Sequence, residues 1–234
     1  MIDSKNRFIF IHIPKCAGQS IQHFLIKSFN LYNVDRRLLF VGENDGRVDG
    51  PEMLTHFSLM ELLNSGAINS DELEEYFKFT FVRHPIDRAV SIYKFLSKPN
   101  QTFDDFVKKE LLGSLLKSKY YFVRPQCEFI CDSTGKIAVD FVGRFEDIES
   151  DVRKLAKHLS LDEGCLALFK HRNSSTRINF KLPKSWQGFK DWINSGRKKI
   201  KSKVFKNNGV VINHELDSLL REFYALDFEV LGYR

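Results

Sequence analysis

The run Phe8-Ile9-Phe10-Ile11-His12-Ile13 is short, β-branched and aromatic, and reads as a buried strand. Pro14 and Gly18 break it. From Ser20 onward Ile21, Phe24, Leu25 and Phe29 recur at helical spacing, so a helix starts near Gln19 or Ser20. Strand, tight turn and helix form the opening of a βαβ unit. The pattern repeats at Phe77-Lys78-Phe79-Thr80-Phe81-Val82, which ends at Arg83-His84-Pro85. Ile86, Ala89, Val90, Tyr93 and Leu96 then mark an amphipathic helix with Pro85 near its first position. Ala138 to Gly143 reads as a third strand, with a helix from Ile148 to Leu159 behind it. This alternation predicts an α/β, three-layer fold: a mostly parallel central sheet flanked by helices. Asp71 to Tyr76 reads as a short helix or turn, and Phe103 to Leu116 and Gln126 to Cys131 read as helical. Asn213 is placed to cap a helix running to about Tyr224.

The turn after the first strand carries the chemistry. N–H groups at a helix start lack intrahelical partners, and the helix dipole adds partial positive charge there. A turn that feeds a helix start is therefore an anion site, and Ala17 and Gly18 are small enough to let a phosphate approach the backbone. Lys15 sits inside the turn, and the Ser20 hydroxyl can donate to the same group. In a Walker A loop the Lys follows the last Gly. Here Lys15 precedes Gly18, and the second strand ends on Arg83 and His84 rather than on a metal-holding acid. A nucleotide-dependent, kinase-like P-loop enzyme is therefore an alternative reading, not the leading one.

The chain has 234 residues, enough for one domain with a substantial core, and its 22 Phe are spread along it as core residues. The net charge of +6 is unevenly placed: Lys170 to Lys206 holds twelve Lys and Arg against the single acid Asp191. Such a segment points to an anionic ligand or to a solvated face. A non-catalytic binder of anionic polymer is the second alternative, although no nucleic-acid-binding motif accompanies the charge. No apolar run is long enough to cross a bilayer, and residues 1–7 lack the features of a secretory signal, which predicts a cytoplasmic protein. Four scattered cysteines predict reduced thiols rather than a disulfide framework, and no metal site is expected.

Two motifs carry a family resemblance. F-I-H-I-P-K-C-A-G-Q-S-I resembles the 5′-phosphosulfate-binding loop of sulfotransferases. Further on, F-V-R-H-P-I-D-R-A-V-S-I-Y-K-F-L resembles their 3′-phosphate-binding motif, with Arg83, Pro85, Arg88, Ser91 and Tyr93 in register. The stretch from Tyr224 to Tyr233 resembles the C-terminal signature of the bacterial and carbohydrate-directed branch, close to the 2-O-sulfotransferases. The resemblance implies one sulfotransferase domain of P-loop-like fold over residues 1–234, using 3′-phosphoadenosine 5′-phosphosulfate as co-substrate and no metal. It implies a hydroxylated acceptor such as a carbohydrate, and allows that acceptor to be acidic.

That donor needs two anion sites. The resemblance assigns the first to Lys15, Cys16, Ala17, Gly18, Gln19 and Ser20, and the second to Arg83 and Ser91. Lys15 would neutralise the leaving phosphate during in-line transfer. Arg177, with Arg172, Lys181 or Lys184, would close over the 3′-phosphate, and Arg197 to Lys201 would meet an acidic glycan. A general base must take the acceptor proton. His56, in the stretch Leu54-Thr55-His56-Phe57-Ser58-Leu59, matches the family's base, with Glu52 and Glu61 as alternatives.

Overall fold

The computed structural model describes residues 1–33, 54–169, 210 and 212–234. Four strands form one sheet in the order β1 (Ile2–Asp3), β2 (Phe8–Ile11), β3 (Phe77–Val82) and β4 (Phe141–Arg144). β1 runs antiparallel to β2, with Ile2 opposite Ile9. β2 and β3 are parallel with Ile11 opposite Thr80, and β3 and β4 are parallel with Val82 opposite Arg144. The mostly parallel sheet expected from the sequence is therefore present.

Alternation along the strands sends side chains to two faces. Phe8, Phe10, Phe79 and Phe81 lie on one, packed against Ile21, Phe24 and Leu25 of helix α1 (Gly18–Ser28). Ile9, Ile11, Ile13 and Val82 lie on the other, packed against Leu59 and Leu62 of α2 (Leu59–Asn64) and against Ile68, which precedes α3 (Ser70–Glu75). Both faces are buried, which is why these strands read as unbroken apolar runs. A third cluster joins Ile86, Ala89 and Ile92 of α4 (Pro85–Leu96) to Phe103, Phe106 and Leu111. These last belong to a helical stretch that is α-helical at Phe103–Asp105 and Leu115–Ser118 and π-helical between them. The helix α5 (Ile148–His158) covers the phenylalanine face beside α1. Near the C-terminus α6 (His214–Phe223) is capped by Asn213, whose side chain accepts the Leu216 N–H at 2.8 Å, and α7 (Ala225–Val230) follows.

Two expectations need correction. The third strand begins at Phe141, not Ala138. Ala138 donates its N–H to Ile130 at 2.8 Å and Ile137 bridges Cys131, so the start of this stretch pairs with its own preceding turn, and bonding to β3 begins only at Asp140, whose N–H donates to the Lys78 carbonyl at 2.8 Å. The helix read over Gln126 to Cys131 is a single 3-10 turn, Cys127–Phe129. Among the described residues no helix is long and apolar enough to cross a membrane.

Candidate active site

The chain leaves β2 at Ile11 and reaches α1 through a turn with an unusual backbone. Lys15 (φ 70°) and Ala17 (φ 64°) are left-handed, while Cys16 and Gly18 between and after them are not. Alternating hands swing successive N–H groups toward one side and make a concave anion cradle. Two left-handed residues with side chains cost on the order of 1–2 kcal/mol each, so the rest of the structure must enforce the shape. The first bonds into α1 run from the Ser20 and Ile21 N–H groups to the Ala17 carbonyl, at 2.8 and 3.2 Å. The N–H groups of Ala17, Gly18 and Gln19 therefore lie outside the helical ladder. Gln19 is exposed, and Cys16, Gly18 and Ser20 are buried.

What enforces the turn is Arg88. Its fully buried guanidinium donates to the carbonyls of Pro14 (3.1 Å), Arg124 (2.8 Å) and Phe122 (3.2 Å). In the second motif Arg88 is thus a brace for the first motif and not a surface anion contact. Tyr93 is structural too, donating to the Gln101 carbonyl at 2.6 Å. Residues 88, 91 and 95 share one face of α4. Arg88 meets Pro14, and the Phe95 ring carries the Lys15 ammonium 4.1 Å above its centroid. Ser91, half-buried between them in the helix, therefore lies on the face turned toward the cradle.

Lys15 has no carboxylate against it among the described residues. Burial, and then the nearby positive charge of Arg83, pull its pKa down to about 8. Arg83 follows β3 directly, so the cradle and Arg83 leave the carboxyl ends of adjacent parallel strands, where open α/β sheets bind ligands. The Arg83 guanidinium lies 4.1 Å over the Phe145 ring, and its Nε is buried without a hydrogen-bond partner among the described residues.

His56 stands beside the turn at the end of a 3-10 turn, Leu54–His56. Its Nδ1 is 3.1 Å from the His12 carbonyl, which can only accept, so Nδ1 carries the proton and Nε2 keeps its lone pair. Its ring meets the His12 ring edge-on at 4.7 Å and stacks on Tyr121 at 5.8 Å. Burial lowers the pKa of His56 to about 4, and burial followed by the His56 charge also holds His12 well below its ordinary value.

Both imidazoles thus stay neutral in the fold while the unfolded chain protonates them below about pH 6.5. Stability present above that pH is expected to fall as the pH drops toward 4, with His56 alone accounting for on the order of 3 kcal/mol. Melting temperatures between pH 7.5 and 4.5 check this. A wild-type curve parallel to that of His56→Asn would contradict it.

Glu61 is not placed as a base. Burial alone would raise its pKa, but bidentate bonds from Arg124 (2.9 and 2.7 Å) outweigh it and hold the carboxyl below its usual range. The same carboxylate closes the capping box at Ser58 that starts α2. His84 is structural, packed edge-on against Phe228 and Tyr233. Glu52, Arg177 and the whole basic segment from Lys170 to Lys206 lie outside the described residues. Among the described residues no group of His, Cys, Asp or Glu is placed to hold a metal ion.

The family model for the sulfotransferase family matches residues 1–234, the whole chain. The chain belongs to the sulfotransferase family. It also aligns at 32% identity over 92 residues with an uncharacterized protein of Archaeoglobus fulgidus, covering 38% of this chain and 71% of that protein. No solved structure matches. As a sulfotransferase it is a transferase that moves a sulfuryl group to a hydroxylated acceptor.

Sequence reasoning missed three residues that build this sulfotransferase's candidate site. Gln126 and Asp227 are fully buried and tie the two motifs together, and Phe95 shelves the Lys15 ammonium. The helical spacing of 88, 91 and 95 was the one available signal, and it pointed to Phe95.

Proposed function

We propose that this sulfotransferase takes its sulfuryl group from 3′-phosphoadenosine 5′-phosphosulfate and delivers it to a hydroxyl of a carbohydrate or similar ring acceptor. The domain is read as a single P-loop-like unit over residues 1–234. One observation carries the reading: two anion-competent places side by side. The N–H cradle with Lys15 is one, and Arg83, with a buried N–H lacking a partner among the described residues, is the other. A donor with a 5′-phosphosulfate and a separate 3′-phosphate matches two such places, whereas a simple triphosphate matches one. Arg83 offers a planar fork for the 3′-phosphate, and Ser91 faces the same region from α4.

The donor, when bound, supplies the sulfuryl group and a phosphate leaving group. Lys15 lies in the cradle, where its ammonium neutralises the negative charge that grows on the leaving oxygen. His56 Nε2 accepts the acceptor hydroxyl's proton, its ring held by the Nδ1–H bond to the His12 carbonyl. Anions bound nearby raise the His56 pKa from its ligand-free value toward the working range. A row of rings joins the two reacting groups. Phe95 stacks on Phe122 at 5.7 Å, Phe122 meets Tyr121 at 6.0 Å, and Tyr121 stacks on His56. Such a row suits the C–H face of a sugar, with the hydroxyl directed between Lys15 and His56.

Saturating adenosine 3′,5′-bisphosphate, without Mg²⁺, is expected to raise the melting temperature by about 5–10 °C, as a ligand at a hundred times its Kd does for a domain of this size. Differential scanning fluorimetry measures it. Stabilisation by ATP with Mg²⁺ but not by the bisphosphate would replace this reading with a kinase-like one.

A further inference from the structure

The two anion sites belong to segments far apart in sequence, and one buried side chain holds them together. Gln126 is fully buried between the turn and the end of β3. Its Oε1 accepts the Arg83 backbone N–H at 2.8 Å and the Cys16 thiol at 3.1 Å. Its Nε2 donates to the Arg83 carbonyl at 2.7 Å and to Asp227 Oδ2 at 3.1 Å. All four hydrogen-bonding positions of the amide are used. Arg83 fixes which end is oxygen, because its N–H can only donate and its carbonyl can only accept.

The place of this bond matters. β3 ends at Val82, whose carbonyl accepts the Phe145 N–H at 2.7 Å. Arg83 is the first residue past the ladder, and Gln126 binds both its backbone groups as a neighbouring strand would. The same amide oxygen reaches Cys16, the residue between the two left-handed ones of the cradle. Burial pushes the Cys16 thiol up to about 12 against the lowering charges of Arg88 and Arg83, so it stays a donor. Asp227 closes the set from the C-terminal segment, its Oδ1 accepting the Cys127 N–H at 2.9 Å.

We propose that Gln126 is a positioning residue that fixes the distance and orientation between the 5′-side cradle and Arg83, and thereby makes the enzyme select nucleotides carrying both a 5′- and a 3′-phosphate. The inference rests on the two-site reading of the donor. Two sites at a fixed spacing give a doubly charged ligand an advantage over either half, and that advantage is lost when the spacing is free.

The test compares three probes by calorimetry: adenosine 3′,5′-bisphosphate, adenosine 5′-phosphate and adenosine 3′-phosphate. Gln126→Met keeps the length of the side chain and removes all four bonds. It is expected to weaken the bisphosphate about tenfold or more while each monophosphate changes by less than about threefold. Cys16→Ala removes the thiol arm, together with the long 3.7 Å thiol contact to the Pro14 carbonyl, leaves Arg83 clamped, and should move the same ratio partway even if Gln126→Met fails to fold. An equal loss for all three probes, or no loss in the folded variants, overturns the positioning role. A wild-type protein that binds the bisphosphate no better than the monophosphates overturns the two-site reading itself.

Discussion

Lys15→Ala is expected to lower sulfuryl transfer about a thousandfold while the protein melts within a few degrees of wild type. The activity loss follows from removing the one cation in the cradle, since losing a single charge-stabilising group in a transition state typically costs that much. Stability hardly changes because the ammonium lacks an acidic partner among the described residues and rests only on the Phe95 ring. A contact of that kind is worth about 0.5–1 kcal/mol at a partly exposed site. The backbone also keeps its left-handed turn, because Arg88 and not Lys15 holds Pro14. A labelled-donor assay beside a thermal melt reads both quantities. The lowered pKa of about 8 adds a pH signature: the cation is present below that value and lost above it. The kcat/KM profile, which reports the free enzyme, should therefore fall on the alkaline side near pH 8. Transfer by Lys15→Ala within tenfold of wild type would remove Lys15 from the leaving-group role.

His56→Asn should separate the two halves of the reaction. An asparagine amide can still donate to the His12 carbonyl, so the local hydrogen bond survives, but no lone pair stands where Nε2 was. Transfer is expected to fall about a hundredfold to a thousandfold, the usual worth of a positioned general base. Affinity for adenosine 3′,5′-bisphosphate should stay within about twofold, because His56 touches neither anion site, and this contrasts with a loss of donor affinity in Lys15→Ala. Calorimetry with the bisphosphate and a single-turnover assay supply the pair of numbers. A variant that keeps full transfer would assign the proton to another group.

The parts of this protein that read easily from its sequence are those set by neighbours along the chain. β2 and β3 are buried on both faces, so their apolar runs are unbroken, and α1, α4 and α6 carry helical spacing with identifiable starts. β1 is two residues long, too short for any period to show. From the sequence β4 begins three residues early, because Ala138 and Val139 are as strand-like as Phe141 and only the partner strand distinguishes them. The cradle was legible as Pro14 to Ser20, and Arg83 as the residue after a strand. The braces were not. Arg88 reaches Pro14, and Gln126 reaches Cys16 and Asp227, across separations that leave no periodic trace. Glu61 offered a carboxylate of suitable type, and its commitment to Arg124 becomes visible only once Arg124 is folded beside it.

A side chain at position 18 would occupy the space that the His12 ring fills, since a Cβ built there falls inside the imidazole. The ring itself has little room to retreat, being stacked on Phe10, edge-on to His56 and bonded to Gln22. The two positions therefore constrain the order in which the sequence can change. A smaller residue at 12 removes the ring from that space, and after it a methyl at 18 no longer meets the clash. The reverse order meets a clash at the first step, so any mutational path that enlarges position 18 must pass through position 12.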